Sequence, residues 1–274
     1  MMQGNRSSLS EAVRADIQQC RDGKIHWLTA IVLTLVFGAT AIGLSLFSDA
    51  FDAEMTLTGF VELLTLNAAW LFFSLLALVG LFIAFGPSAS LAGGNRYHNP
   101  VPGILGVLVS RWMLVGGSVL IAFVIPFIVG LTMFDSFSIG VFLGVVILTV
   151  LVICAYASVG VALAAVAKSD TRLVLWLLSV YWVVVFLWET SILPLLVAFA
   201  TGADPETALG TPPLIHDLLL AASPGGAHAA LSETLLHGGF GSVKLVAVLA
   251  LVGWLVLPPV LALYWRGLQR KYRY

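Results

Sequence analysis

Six stretches of the chain are apolar for about 20 residues or more, at about 26–47, 63–85, 112–134, 139–166, 173–200 and 243–264. Apolar residues follow one another in them without the alternation of a lipid-facing barrel strand, so each predicts a helix whose backbone satisfies itself. A hydrocarbon core about 30 Å thick needs about 20 helical residues at about 1.5 Å each. Each stretch is therefore long enough to cross once. The fifth contains Glu189 and Pro194, and the sixth ends on Pro258-Pro259. The first, His26 to Phe47, exceeds the roughly 7–15 residues of a cleaved signal core and predicts an anchor.

The segments between are polar or rich in turn residues. Leu9–Cys20 predicts a short amphipathic helix, with Ser8 and Glu11 at capping-box spacing and Gly23 suited to the exit. Leu9, Val13, Ile17 and Cys20 share one face and Glu11, Arg14, Gln18 and Arg21 the other, with Asp16 beside the apolar stripe. Such a helix lies along the inner interface, as a passive surface helix or as a docking element for a cytosolic partner. Gly86–Trp112 predicts an inner loop, broken by Gly86-Pro87, Gly93-Gly94, Pro100 and Pro102 and closed by Ser110-Arg111. The last outer loop, 201–242, holds two helical pieces too short to span, Leu214–Ala222 and Ala227–Leu236, separated by Ser223-Pro224-Gly225-Gly226. They are expected to dip into the outer leaflet as a cap.

Charge sets the orientation. Of the 13 Lys and Arg residues, only Lys244 falls on the far side of this arrangement; Arg6, Arg14, Arg21, Lys24, Arg96, Arg111, Lys168, Arg172, Arg266, Arg270, Lys271 and Arg273 fall on the near side. Basic loops stay in the cytoplasm. Six spans with both termini cytoplasmic follow, since five or seven would break the pattern. The expected organisation is an interfacial helix over 1–25, a six-span domain over 26–264 and a basic cytoplasmic tail over 265–274, in the cell membrane. Of the 274 residues, 60% are hydrophobic and 10% charged, against about 25% charged in a soluble domain, so lipid must cover part of the surface. A net charge of −1 offers nucleic acid no basic field. Cys20 and Cys154 lie at different depths, without metal-ligand spacing, and are expected to be unpaired buried thiols.

No GxxxxGK[ST] loop, HExxH or GxSxG motif exists, and the spans lack the paired side chains of an intramembrane hydrolase. An enzyme is not expected, nor a cofactor. Glu189, in Trp188-Glu189-Thr190, is a costly intramembrane carboxylate and a pathway candidate or a structural group satisfied by neighbouring helices; Glu62 and Asn67 pose the same question more weakly. Gly140-x-x-x-Gly144 and Gly160-x-x-x-Ala164 suit close helix packing. The outer loop also carries His216, His228 and His237 with Asp217 and Glu233, but no pair of histidines has the i, i+4 spacing of a metal-binding helix, and solvated or interfacial histidines are expected.

Several segments together resemble the exporter-type, or second-type, ABC permeases. They are Glu11-Ala-Val-Arg14-Ala-Asp16-Ile-Gln-Gln-Cys-Arg21-Asp22 leading into span one, Gly106-Val-Leu-Val-Ser110-Arg111, and Gly160-Val-Ala-Leu-Ala-Ala-Val-Ala-Lys168-Ser-Asp170. Leu187-Trp188-Glu189 and Ala222-Ser223-Pro224 add to the likeness, which is greatest to the permease group that helps mature nitrous-oxide reductase. The resemblance implies a six-span half-transporter that dimerises with itself and binds two cytosolic ATPase subunits. It also implies ATPase contacts at Arg14, Asp16, Arg21, Asp22, Arg96 and Arg111. Ala92-Gly93-Gly94-Asn95-Arg96 departs from that family's pattern, having no acidic residue. Two other functions fit the bare residues: a secondary transporter or channel using Glu189, although the halves show no internal repeat, and a membrane scaffold.

Overall fold

A computed structural model of the chain describes residues 9–22, 25–46, 57–62, 69–83, 100–134, 137–167, 169–202, 214–239 and 241–271. The described residues form helices and the turns between them, with no strand. Among the described residues, four helices are long and apolar enough to cross a membrane: Trp27–Leu46, Val101–Met133, Ile139–Val166 and Ser242–Gln269. Two further apolar stretches of helix stand where spans two and five are expected.

In chain order, α1 (Leu9–Asp22) precedes α2 (Ile25–Leu46), which matches the first predicted span. The short α3 (Leu57–Glu62) and α4 (Ala69–Phe82) follow. The third span starts well before its apolar core: α5 (Pro100–Ala122) continues through Phe123 into α6 (Val124–Met133). The expected loop over 86–112 is therefore helical from Pro100 onward. Pro100 and Pro102 sit in the first turn, where a backbone N–H is not needed and the fixed φ favours the helix. Ser110-Arg111 consequently lies inside α5 and does not end a loop.

The fourth span, α7 (Ile139–Val166), has its predicted limits, with Ser138 Oγ accepting from the Val141 amide at 3.5 Å. Span five is composite: α8 (Asp170–Tyr181), a π-helical segment (Trp182–Ile192) and α9 (Leu193–Thr201). Pro194 again occupies a first turn, that of α9. The two pieces expected in the 201–242 loop are α10 (Leu214–Ala221) and α11 (Pro224–His237). The last helix, α12 (Ser242–Lys271), runs through Pro258-Pro259 to Lys271, so residues 265–271 extend the final span.

α7 is the hub, packing against α4, α5, α8, α11 and α12. Every residue of it from 152 to 162 is buried. Cys154, Ala155, Ala157, Ser158, Gly160 and Ala162 make that possible, because small side chains let neighbouring backbones come close where lipid gives no hydrophobic drive. Of the other glycine pair, Gly140 faces open space and Gly144 faces Leu235 of α11. At the same end Phe123, Phe127, Phe137 and Phe142 stack edge-on or tilted, with centroids 5.4 to 5.8 Å apart, joining α5, α6 and α7. The outer faces expose Leu35, Leu131, Ile147, Phe199 and Leu261, as expected of side chains whose solvent is lipid. The chain is an all-α polytopic membrane protein.

Candidate functional site

The most concentrated buried polar chemistry among the described residues lies where α1 meets α5. Gly106 brings the two helices together: a Cβ there would stand 2.5 Å from the Ala12 Cβ and 3.2 Å from backbone of α1. One turn of α5 further on, Ser110 and Arg111 reach Asp16. Asp16 does not project beside the apolar stripe of α1, as expected from sequence; it is the centre of the buried face, between Ala12 and Cys20. Its carboxylate accepts from Arg111 Nη2 at 3.0 Å and from the Ser110 hydroxyl, which also lies 2.9 Å from the Val107 carbonyl. The Cys20 thiol adds a weak contact at 3.8 Å.

Arg111 is fully buried and spends its second arm on the Ile83 carbonyl, 2.9 Å away at the end of α4; its Nε has no partner among the described residues. One guanidinium thus joins α1, α4 and α5. The next residue extends the tie: Trp112 Nε1 lies 3.2 Å from both the Cys154 carbonyl and Ser158 Oγ of α7. Burial, reinforced by the neighbouring carboxylate and opposed by the guanidinium, pushes the Cys20 thiol up to about 11, so it stays protonated at neutral pH.

The ATPase-contact candidates therefore divide. Asp16 and Arg111 bind each other inside the fold, whereas Arg14 and Arg21 are on the exposed face of α1. Asp22 is the last residue of α1, and Arg96 lies outside the described residues. Among the pathway candidates, Glu189 falls in the π-helical segment, next to Trp188, whose indole nitrogen is buried without a partner among the described residues. Glu62 is the last residue of α3, while Asn67 lies outside the described residues.

The histidines of the 201–242 segment correct an expectation. His228 is fully buried, not solvated or interfacial, with Nε2 3.2 Å from Thr149 of α7 and Nδ1 3.4 Å from Ser232. His216 is half-buried beside Asp217 and His237 is exposed. The cap is thereby pinned to the middle of the fourth span. Trp254 Nε1 fastens its tip to α12 through the Ala222 carbonyl at 2.8 Å.

Sequence reasoning took Ser110 for a loop end and missed Thr149 and the Ile83 carbonyl. A signal existed for the clamp: an acid on the apolar face of one helix and a lone cation at the edge of an apolar run are each too costly to bury without a partner.

A bundle of apolar helices, with an amphipathic helix packed at one end and a helical hairpin at the other, is the architecture of a polytopic membrane protein. Residues 104–271 match the family model described as ABC-2 family transporter protein, over more than half of the chain. The chain belongs to that family and is an ABC transporter permease. No curated protein matches it. The matched region includes Arg111 but not Asp16, so the clamp ties it to the chain that precedes it.

Proposed function

We propose that this permease works as a homodimer in the cell membrane, six-spanned with both termini cytoplasmic, and is driven by separate ATPase subunits. The observation that carries the reading is the Asp16–Arg111 pair, 3.0 Å apart and buried. It holds an amphipathic helix with a charged outer face against span three, whose Arg111 also reaches the end of span two, so that a partner pressing on α1 acts on the bundle directly. Arg14 and Arg21 then form part of the docking surface, and Asp22 and Arg96 complete the proposed contact set. Asp16 and Arg111 position that surface. Each state the ATPase favours must differ in its contacts with this surface for energy to pass.

Co-purification tests this. Expressed with candidate ABC ATPase subunits from its own source, the permease retains one of them, and Arg14→Glu with Arg21→Glu reduces that retention by about tenfold or more, as for like charges placed across an interface. Retention unchanged in that variant, or absent from the native pair, refutes the assignment.

Glu189 takes a place in the same reading. Long π-helical stretches are rare and concentrate at functional sites, and this one carries the carboxylate predicted for the pathway. Glu189→Gln should lower transport while leaving ATPase retention intact. Flux that persists after ATP depletion but disappears in Glu189→Gln would instead favour an ion-coupled transporter.

A further inference from the structure

Between α7, α8 and α12 lies a partly open apolar cavity of about 830 Å³, whose lining includes the exposed Leu249, Leu257 and Leu261. Ala162 of α7 and Ala250 and Gly253 of α12 keep it wide, and every side chain lining it is apolar. Its lining on α12 runs from Val246 to Trp265, about 28 Å of helix, close to the roughly 30 Å of a bilayer core. The indole of Trp254, partway along, is already bonded to Ala222. Apart from the indole N–H groups of Trp176 and Trp265, such a slot offers a polar solute or a peptide backbone no hydrogen-bonding side chain, which leaves a hydrocarbon chain as its occupant.

One end is different. Trp176 and Trp265 stand there, as aromatic residues do at headgroup level. Arg172 is exposed four residues before Trp176, on the same face of α8. Asp170 falls about 120° further round that helix from Trp176. Arg266 follows Trp265, its Nε held by the Ala165 carbonyl at 2.6 Å, which fixes a second cation at this mouth. At the opposite end the ammonium of Lys244 is bound to the Gly238 and Gly239 carbonyls at 3.2 and 2.8 Å.

We propose that this slot is a binding site for an anionic phospholipid, with an acyl chain along α12 and the phosphate beside Arg172 and Arg266. The inference rests on the chain's being a membrane protein and not on its ATPase partnership, so either can fail without the other. Phosphatidylglycerol and phosphatidylcholine, titrated into the delipidated full-length protein and counted by native mass spectrometry, provide the test. The expected result is preferential retention of phosphatidylglycerol. Arg172→Glu, at an exposed position, should weaken that preference by roughly five- to tenfold, since a surface cation near anionic lipid contributes about 1 kcal/mol and its reversal adds repulsion. Gly253→Leu should reduce retention of both lipids. A Cβ there meets only Leu257 Cδ1, at 3.8 Å, so that variant fills the slot without displacing backbone. Equal retention of the two lipids, a preference untouched by Arg172→Glu, or retention untouched by Gly253→Leu overturns the proposal.

Discussion

Arg111→Met should cost about 3–5 kcal/mol of stability, because it strands the Asp16 carboxylate in the interior with its guanidinium partner gone. The thermal midpoint in detergent should fall, and Cys20 should report where the damage lies. In the native protein that thiol is buried and held up to about 11, so alkylation near pH 8 is slow. With α1 released it returns toward the ordinary value of 9.0 and becomes exposed, and labelling should accelerate by roughly tenfold or more. Adding Asp16→Leu to Arg111→Met should restore most of the stability, since a buried ion pair exchanged for apolar groups of similar volume is often neutral or better. A single variant within about 1 kcal/mol of native, with Cys20 still protected, would show that the pair is not the bond that seats α1.

The second large effect is expected at the cap. A Cβ on Gly226 would collide with the Leu220 carbonyl oxygen and stand 2.6 Å from its carbon. Both are backbone atoms that cannot swing aside, and Gly226 is also bound through its amide to Ser223 Oγ at 3.0 Å. Gly226→Val must therefore separate α10 from α11, at a cost of about 3 kcal/mol or more, the upper part of the range for overpacking. The hairpin should become protease-sensitive and transport should be lost, while Cys20 protection is unchanged, because distant sites without shared partners act independently. An intact hairpin in that variant would mean that the tip of the cap is less tightly wound than described.

Much of the bundle was legible because one physical constraint, bilayer thickness, writes itself directly into apolar length. α2 and α7 fall within a residue of their predicted limits for that reason. The same rule fails wherever a helix outlasts its lipid-facing part. Pro100 and Pro102 look like loop residues until the helix is seen to begin at them, and the last span continues through Pro258-Pro259 into basic sequence. The candidate site was legible as a set of charges and illegible as a geometry. Asp16 and Arg111 were both singled out, but their union joins residues 95 positions apart, and side-chain period along one helix says nothing about which distant helix lies opposite. His228 shows the same gap: its burial against Thr149 of a distant helix is not written in the loop sequence around it. The π-helical segment has no sequence signature that periodicity detects.

The three-way grip of Arg111 also restricts how α1 can move. Sliding it by one residue would swing Asp16 about 100° around its axis, away from both Ser110 and the guanidinium, so small slips carry nearly the whole penalty of complete detachment. A force on α1 should consequently reach α5 through this joint without slippage. In engineering terms the contact is a keyed coupling and not a friction clutch.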